Sequence, residues 1–159
     1  MGAETDNRRI ISYKRFNPNF HHLKLALGND DIRFIFMYGG SSSAKSFSAA
    51  QAFLLECKGY NTMVFRKTGA TIVDSIYKTF QEAAKSLHIE SFFKPLENLI
   101  RCFNGSYIRF KGLDDPEKIK GLESYQYVFC EEISEFDESD LKQIRKRPWS
   151  QGTEDRSSI

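Results

Sequence analysis

The chain has 159 residues, 40% of them hydrophobic and 14% aromatic, and a net charge of +2. That is enough for one domain with a real core and excludes an intrinsically disordered chain. No run is apolar and long enough to cross a membrane, and so weak a charge neither requires nor excludes a nucleic-acid partner.

The opening residues, MGAETDNRRIISYKRF, lack the apolar stretch of a secretory signal. Beyond the initial Met-Gly, nothing favours lipidation. The three cysteines, Cys57, Cys102 and Cys130, are far apart and in apolar surroundings, which predicts reduced, buried thiols of a cytosolic protein and no metal-ligand spacing.

In chain order, residues 1–15 are polar and basic and predict a flexible arm. RFIFMY (33–38) is short, apolar and aromatic, and reads as a buried strand. Residues 39–44 must form a loop. From Lys45, the apolar residues Phe47, Ala50, Phe53, Leu54 and Cys57 recur at helical spacing, with Gly59 as the stop. NTMVFRK (61–67) predicts a second strand. Gly69 and Thr71 open a helix with the stripe Ile72, Ile76, Phe80, Ala83, Ala84 and Leu87. LIRCF and SYIRF flank Asn104-Gly105 as a β-hairpin, with positive φ expected at both turn residues. DDPEKIKG (114–121) predicts a helical turn, YQYVFC (125–130) a buried strand, and DESDLKQIRKR (137–147) a helix capped by Asp137 or Ser139 and stopped by Pro148. The order implies an α/β fold with a mostly parallel sheet, helices on its faces and an antiparallel insertion.

Two stretches carry chemistry. Gly39-Gly40-Ser41-Ser42-Ser43-Ala44-Lys45-Ser46 has the spacing of a phosphate-binding loop, with Ala44 where that pattern has Gly. Such a loop turns backbone amides toward an anion at a helix N-terminus. Lys45 would then reach the β- and γ-phosphates, and Ser46 would hold Mg2+. Ala44 is tolerable at negative φ, whereas positive φ would cost about 1 kcal/mol or more. The plainer alternative is a Gly-Ser turn ahead of a helix lysine, although a lysine there opposes the helix dipole unless an anion is bound. Downstream, an apolar strand runs into Glu131 and Glu132. Glu131 would support the metal and Glu132 would act as general base, the alternative being a solvated acidic turn. Arg66 ends the second strand and is a candidate phosphate contact, or a solvated strand end. Lys118 and Lys120 precede the acidic strand, as phosphate partners for a neighbouring subunit or as a solvated basic turn. Arg145, Lys146 and Arg147 read as a solvated face, and His21, His22 and His88 receive no chemistry.

Together, GGSSSAKS, VFRKT followed by DSIYKTF, the hairpin, and IKGLESYQYVFCEEISEF resemble the ATPase domain of tailed-phage terminase large subunits, over roughly residues 15–147. The resemblance implies a P-loop NTPase-like fold, incomplete at its C-terminal side, with a domain at 16–147 and a polar tail at 148–159. It implies binding and hydrolysis of Mg-ATP (ATP and Mg2+ as cofactors) to drive double-stranded DNA into a procapsid. The implied partners are a portal protein, a small terminase subunit and further copies in a ring, in the cytoplasm of a bacterial host; the isolated chain is expected to be monomeric. RFNPNFHHL resembles the family's adenine-holding segment, which makes Phe16 and Asn17 candidate contacts. Lys120 stands where the family carries a basic residue, commonly Arg, that reaches the next subunit's ATP; a lysine lacks the planar guanidinium fork. The usual first acid is Asp, where this chain has Glu131. The family's coupling motif and nuclease domain have no counterpart here, so no DNA cleavage is expected. The alternative is a truncated fragment of the same family that binds nucleotide or a partner without turnover. A helicase or small-molecule kinase fits less well, for want of further motifs or a lid.

Overall fold

The central strand of the sheet, β1 (Thr62–Arg66), is buried on both faces over its first four residues. The structure, a computed structural model, describes residues 11–40, 43–57, 59–113 and 124–145. Around β1 lie α1 (Pro18–Leu27), α2 (Lys45–Glu56), α3 (Lys78–Ser86), β2 (Phe93–Leu96), β3 (Leu99–Cys102), β4 (Tyr107–Gly112), β5 (Tyr127–Cys130) and α4 (Glu138–Arg145). The strand order is β2-β3-β4-β1-β5. β1 pairs in parallel with β4 and β5, and β3 pairs antiparallel with β2 and β4. The fold is therefore α/β, with all strands but β3 pointing the same way.

Alternation along β1 divides the core. Val64 joins Phe20, Leu23, Leu27, Phe53, Ile76, Phe80, Ile108 and Phe110 beneath α1, α2 and α3. Met63 and Phe65 face the other way, onto Leu113, Tyr125 and Ile144 of α4. α2 is buried nearly all round because Ala49, Ala50 and Ala52 let its neighbours approach closely. Phe53 of α2 meets Phe129 of β5 at 5.6 Å. The stripe expected for residues 72–87 is present, but its backbone changes pitch: Gly69–Thr71 is a 3-10 turn and Val73–Tyr77 a π turn before α3 begins. Tyr77 donates to the Leu96 carbonyl at 2.6 Å, tying this helix to β2.

Two expectations need correction. Residues 33–38 form no strand. Among the described residues they make no backbone hydrogen bond, and Phe34, Phe36 and Tyr38 are 60%, 72% and 95% exposed. Apolar residues make a strand only where a neighbour supplies ladder partners, and β5 pairs with β1 alone among the described strands. The hairpin between β3 and β4 is real, but only Gly105 of its turn has positive φ, at +92°. Gly105 N–H donates to Cys102 O at 3.0 Å and Cys102 N–H to Ser106 O at 2.8 Å. That is a type I turn closed by a glycine bulge, and the Asn104 side chain accepts from Ser106 N–H at 3.0 Å. The expected turn at 114–121 lies outside the described residues.

Phe80 is fully buried and meets Phe110 edge to face at 5.1 Å, joining α3 to β4. Phe80→Ala is expected to lower the unfolding free energy by about 3–5 kcal/mol, measured by urea denaturation; a loss below about 1 kcal/mol would contradict this packing.

Candidate functional site

β1 and β5 are adjacent and parallel, so the residues that leave their C-terminal ends are neighbours. Glu131 N–H continues the ladder, donating to Phe65 O at 2.8 Å. Arg66, Glu131 and Glu132 therefore share the end of the sheet where α/β proteins bind ligands.

The 39–46 loop arrives at the same place. Gly39 has φ +146°, and a Cβ there would sit 3.3 Å from Ser43 Oγ, so glycine is required. Ser43 N–H donates to Gly40 O at 3.1 Å. Lys45 Nζ donates to Gly39 O at 2.7 Å, Gly40 O at 2.8 Å and Ser43 Oγ at 2.9 Å. The ammonium is thus folded over the loop's own acceptors. Ala44 has φ 54° and ψ 25°, the strained alternative of the two; its carbonyl accepts from Ser48 N–H at 2.9 Å, which starts α2.

Ser46, in the first turn of α2, donates from Oγ to Glu131 Oε1 at 2.7 Å. Burial pushes the Glu131 carboxyl above the usual carboxylate range; the Ser46 bond opposes this, Glu132 adds to it, and Arg66 and Lys45 oppose it. That balance places both cations within electrostatic reach of Glu131. Beside them Arg66 Nη2 donates to Glu132 Oε2 at 3.2 Å. Glu132 itself has φ 52° and ψ 56°. Ala44 and Glu132 are two of the three non-glycine residues with positive φ among the described residues, and strain gathered at one place points to function. Cys130, which immediately precedes Glu131, is half-buried, and burial pushes its thiol up to about 12.

Phe16 stacks on Phe20 at 3.9 Å, and the Asn17 side chain caps α1 by accepting from Asn19 N–H at 2.9 Å. Asn19, which sequence reasoning missed, donates from Nδ2 to Ser43 O at 2.7 Å and so braces the loop. Its signal was the Asn17-Pro18 pair, a cap followed by proline at the first helical position. Lys67 does not join Arg66 but binds Asp137 at 2.8 Å and Asp140 at 2.5 Å. Those acids cap α4 reciprocally: Asp140 N–H donates to Asp137 Oδ1, and Asp137 N–H to Asp140 Oδ2, each at 3.0 Å. Ser41, Ser42, Lys118 and Lys120 lie outside the described residues.

For Mg2+, the fit is chemical. A hydroxyl and a carboxylate oxygen in contact are hard ligands, and this ion commonly takes one or two protein groups and completes its shell with water and phosphate.

The profile of the phage terminase large subunit family matches residues 31–155. The chain is 31% identical over 137 residues to the PBSX phage terminase large subunit of Bacillus subtilis (strain 168), covering 82% of this chain and 30% of that protein. It is 25% identical over 139 residues to the terminase large subunit of Bacillus phage SPP1, covering 81% and 33%. The chain belongs to the phage terminase large subunit family and spans about a third of the length of these relatives. No described helix is long and apolar enough to cross a membrane.

Two stability measurements probe this end of the sheet. Ala44→Gly is expected to raise the unfolding free energy by about 1 kcal/mol, because glycine relieves the left-handed backbone; a loss would show that the loop does not hold this φ. Asp137 is held well below the usual carboxylate range, first by Lys67. A depressed folded pKa gives stability that is present above the unfolded value, about 4, and lost as pH falls below it. Urea unfolding from neutral pH down through that value should therefore show a shallower acid decline for Asp137→Asn than for the wild type; equal slopes would contradict the pairing.

Proposed function

We propose that this chain is the ATP-hydrolysing motor segment of a viral DNA-packaging terminase. It binds Mg-ATP at the 39–46 loop and uses hydrolysis to move double-stranded DNA into a procapsid. The observation that carries this reading is the Ser46–Glu131 contact at 2.7 Å, which joins the glycine-serine loop to the acidic strand end.

In this reading Lys45 exchanges its three bonds to the loop for the β- and γ-phosphate oxygens, the freed acceptors turning to solvent. The loop amides and the start of α2 present partial positive charge to the same phosphates. Ser46 and Glu131 would hold Mg2+, which neutralises phosphate charge when bound. Glu132 takes a proton from the attacking water as the new bond to the γ-phosphorus forms and the bond to the ADP oxygen breaks. Arg66 orients Glu132 before the reaction and lies within reach of charge that develops on the γ-phosphate. Lys120 would act on the ATP of a neighbouring copy in a ring, and Phe16 and Asn17 would border the adenine. A portal protein and a small terminase subunit are the other partners, in a bacterial host's cytoplasm. The Arg66–Glu132 pair also favours a second reading, in which the carboxylate stays engaged and the chain binds nucleotide without turnover.

Mg-ATP should raise the thermal unfolding temperature, and Lys45→Ala should abolish the rise. Glu132→Gln should keep the rise and lose phosphate release by about a hundredfold or more. Binding without turnover in the wild type would select the second reading, and no thermal response to Mg-ATP would refute both.

A further inference from the structure

Ala44 stands where the phosphate-binding pattern has glycine, and it holds a glycine-like backbone, with φ 54° and ψ 25°. Those angles are set by the peptide planes on either side of its Cα. The plane after it is fixed by α2, because Ala44 O accepts from Ser48 N–H at 2.9 Å. The plane before it is fixed from outside the loop, because Ser43 O accepts from Asn19 Nδ2 at 2.7 Å. Ser43 N–H is engaged as well, on Gly40 O at 3.1 Å. A left-handed alanine is thus clamped between a helix bond and a side chain of α1.

α1 is a firm base for that donor. Phe20, next to Asn19, is fully buried, and the Asn17 side chain caps the helix. Further along α1, Lys24 pairs with Glu56, the last residue of α2. Asn19 uses the carbonyl of Ser43, whereas Lys45 uses its hydroxyl. The brace therefore does not depend on where the lysine turns. In a trans peptide the N–H points opposite to the C=O. With the Ser43 carbonyl drawn toward α1, Ala44 N–H points away from α1, and it has no acceptor among the described residues.

We propose that Asn19 is a positioning residue of the nucleotide site: it holds the Ser43–Ala44 peptide so that Ala44 N–H is presented to a phosphate oxygen. The inference deepens the nucleotide reading and rests on it for the identity of the anion. Without the brace, an alanine leaves the left-handed region by turning this peptide, and the N–H swings away. Glycine at position 44 holds either conformation at little cost. Asn19 and Ala44 are therefore energetically coupled, which a donor that merely steadied α1 would not produce. Asn19→Ala does not weaken α1 itself, since alanine is the better helix former.

The test is a double-mutant cycle over wild type, Asn19→Ala, Ala44→Gly and the double variant. Each is titrated calorimetrically with Mg2+ and a non-hydrolysable ATP analogue. Asn19→Ala should weaken binding about tenfold in the wild-type background, and by no more than about threefold in the Ala44→Gly background. Equal losses in both backgrounds, or no loss in either, overturn the proposal. Urea unfolding of the same proteins without nucleotide reads the loop alone. Ala44→Gly should raise the folding equilibrium constant about fivefold with Asn19 present and less than about twofold in Asn19→Ala. An equal gain in both backgrounds overturns the hold of Asn19 on the turn. The two readings fail separately: a wild type that binds no analogue refutes the nucleotide site and the phosphate role of Ala44 N–H, while the unfolding cycle still decides the brace.

Discussion

One hydrogen bond, from Ser46 to Glu131, spans 85 residues of sequence and sets the arrangement at the sheet's C-terminal end. It requires α2 to start where β5 stops. That in turn requires β1 between β4 and β5, and α2 packed on β5 through Phe53 and Phe129. The core is thus the scaffold of the site: a shift of α2 along the sheet would part the hydroxyl from the carboxylate. The electrostatics agree, since Glu131 is buried enough to resist ionisation yet lies within the field of Lys45 and Arg66. A polyanion or a divalent cation entering there would change that balance strongly.

Strain lies on both sides of this bond. Ala44 precedes Lys45 and Glu132 follows Glu131, and both hold left-handed backbone without being glycine. Each turns its chain sharply, one into a helix and the other out of a strand, and so aims neighbouring side chains at the same space. The cost, of order 1 kcal/mol or more each, is borne by the buried core around β1. The reciprocal caps of α4, held by Lys67, fix the next segment and keep that lysine away from Arg66 and Glu132.

Much of this was legible in the sequence, because periodicity and order carry it. α2, β1, β5 and α4 follow from apolar spacing, and the loop and acid pair from residue types in sequence order. What failed needed neighbours. Residues 33–38 have the composition of a strand, but composition cannot say whether a ladder partner lies alongside. β2 was missed because Pro95 reads as a breaker; it is tolerated at the sheet edge, where β2 sits. α1 was missed because His21, His22 and Lys24 interrupt its apolar spacing, although Asn17-Pro18 announced its start. The Asn19 brace and the Arg66–Glu132 and Lys67–Asp140 pairs exist only once distant segments meet.

The central claim is that the loop amides, Lys45, Ser46 and the two glutamates form one triphosphate pocket. The most direct measurement is a crystal structure of this chain with Mg2+ and a non-hydrolysable ATP analogue. The account predicts the triphosphate against residues 39–46, with the metal between Ser46 and Glu131 and the terminal phosphate facing Glu132. An analogue bound elsewhere, with Lys45 still turned onto Gly39 and Gly40, would contradict it.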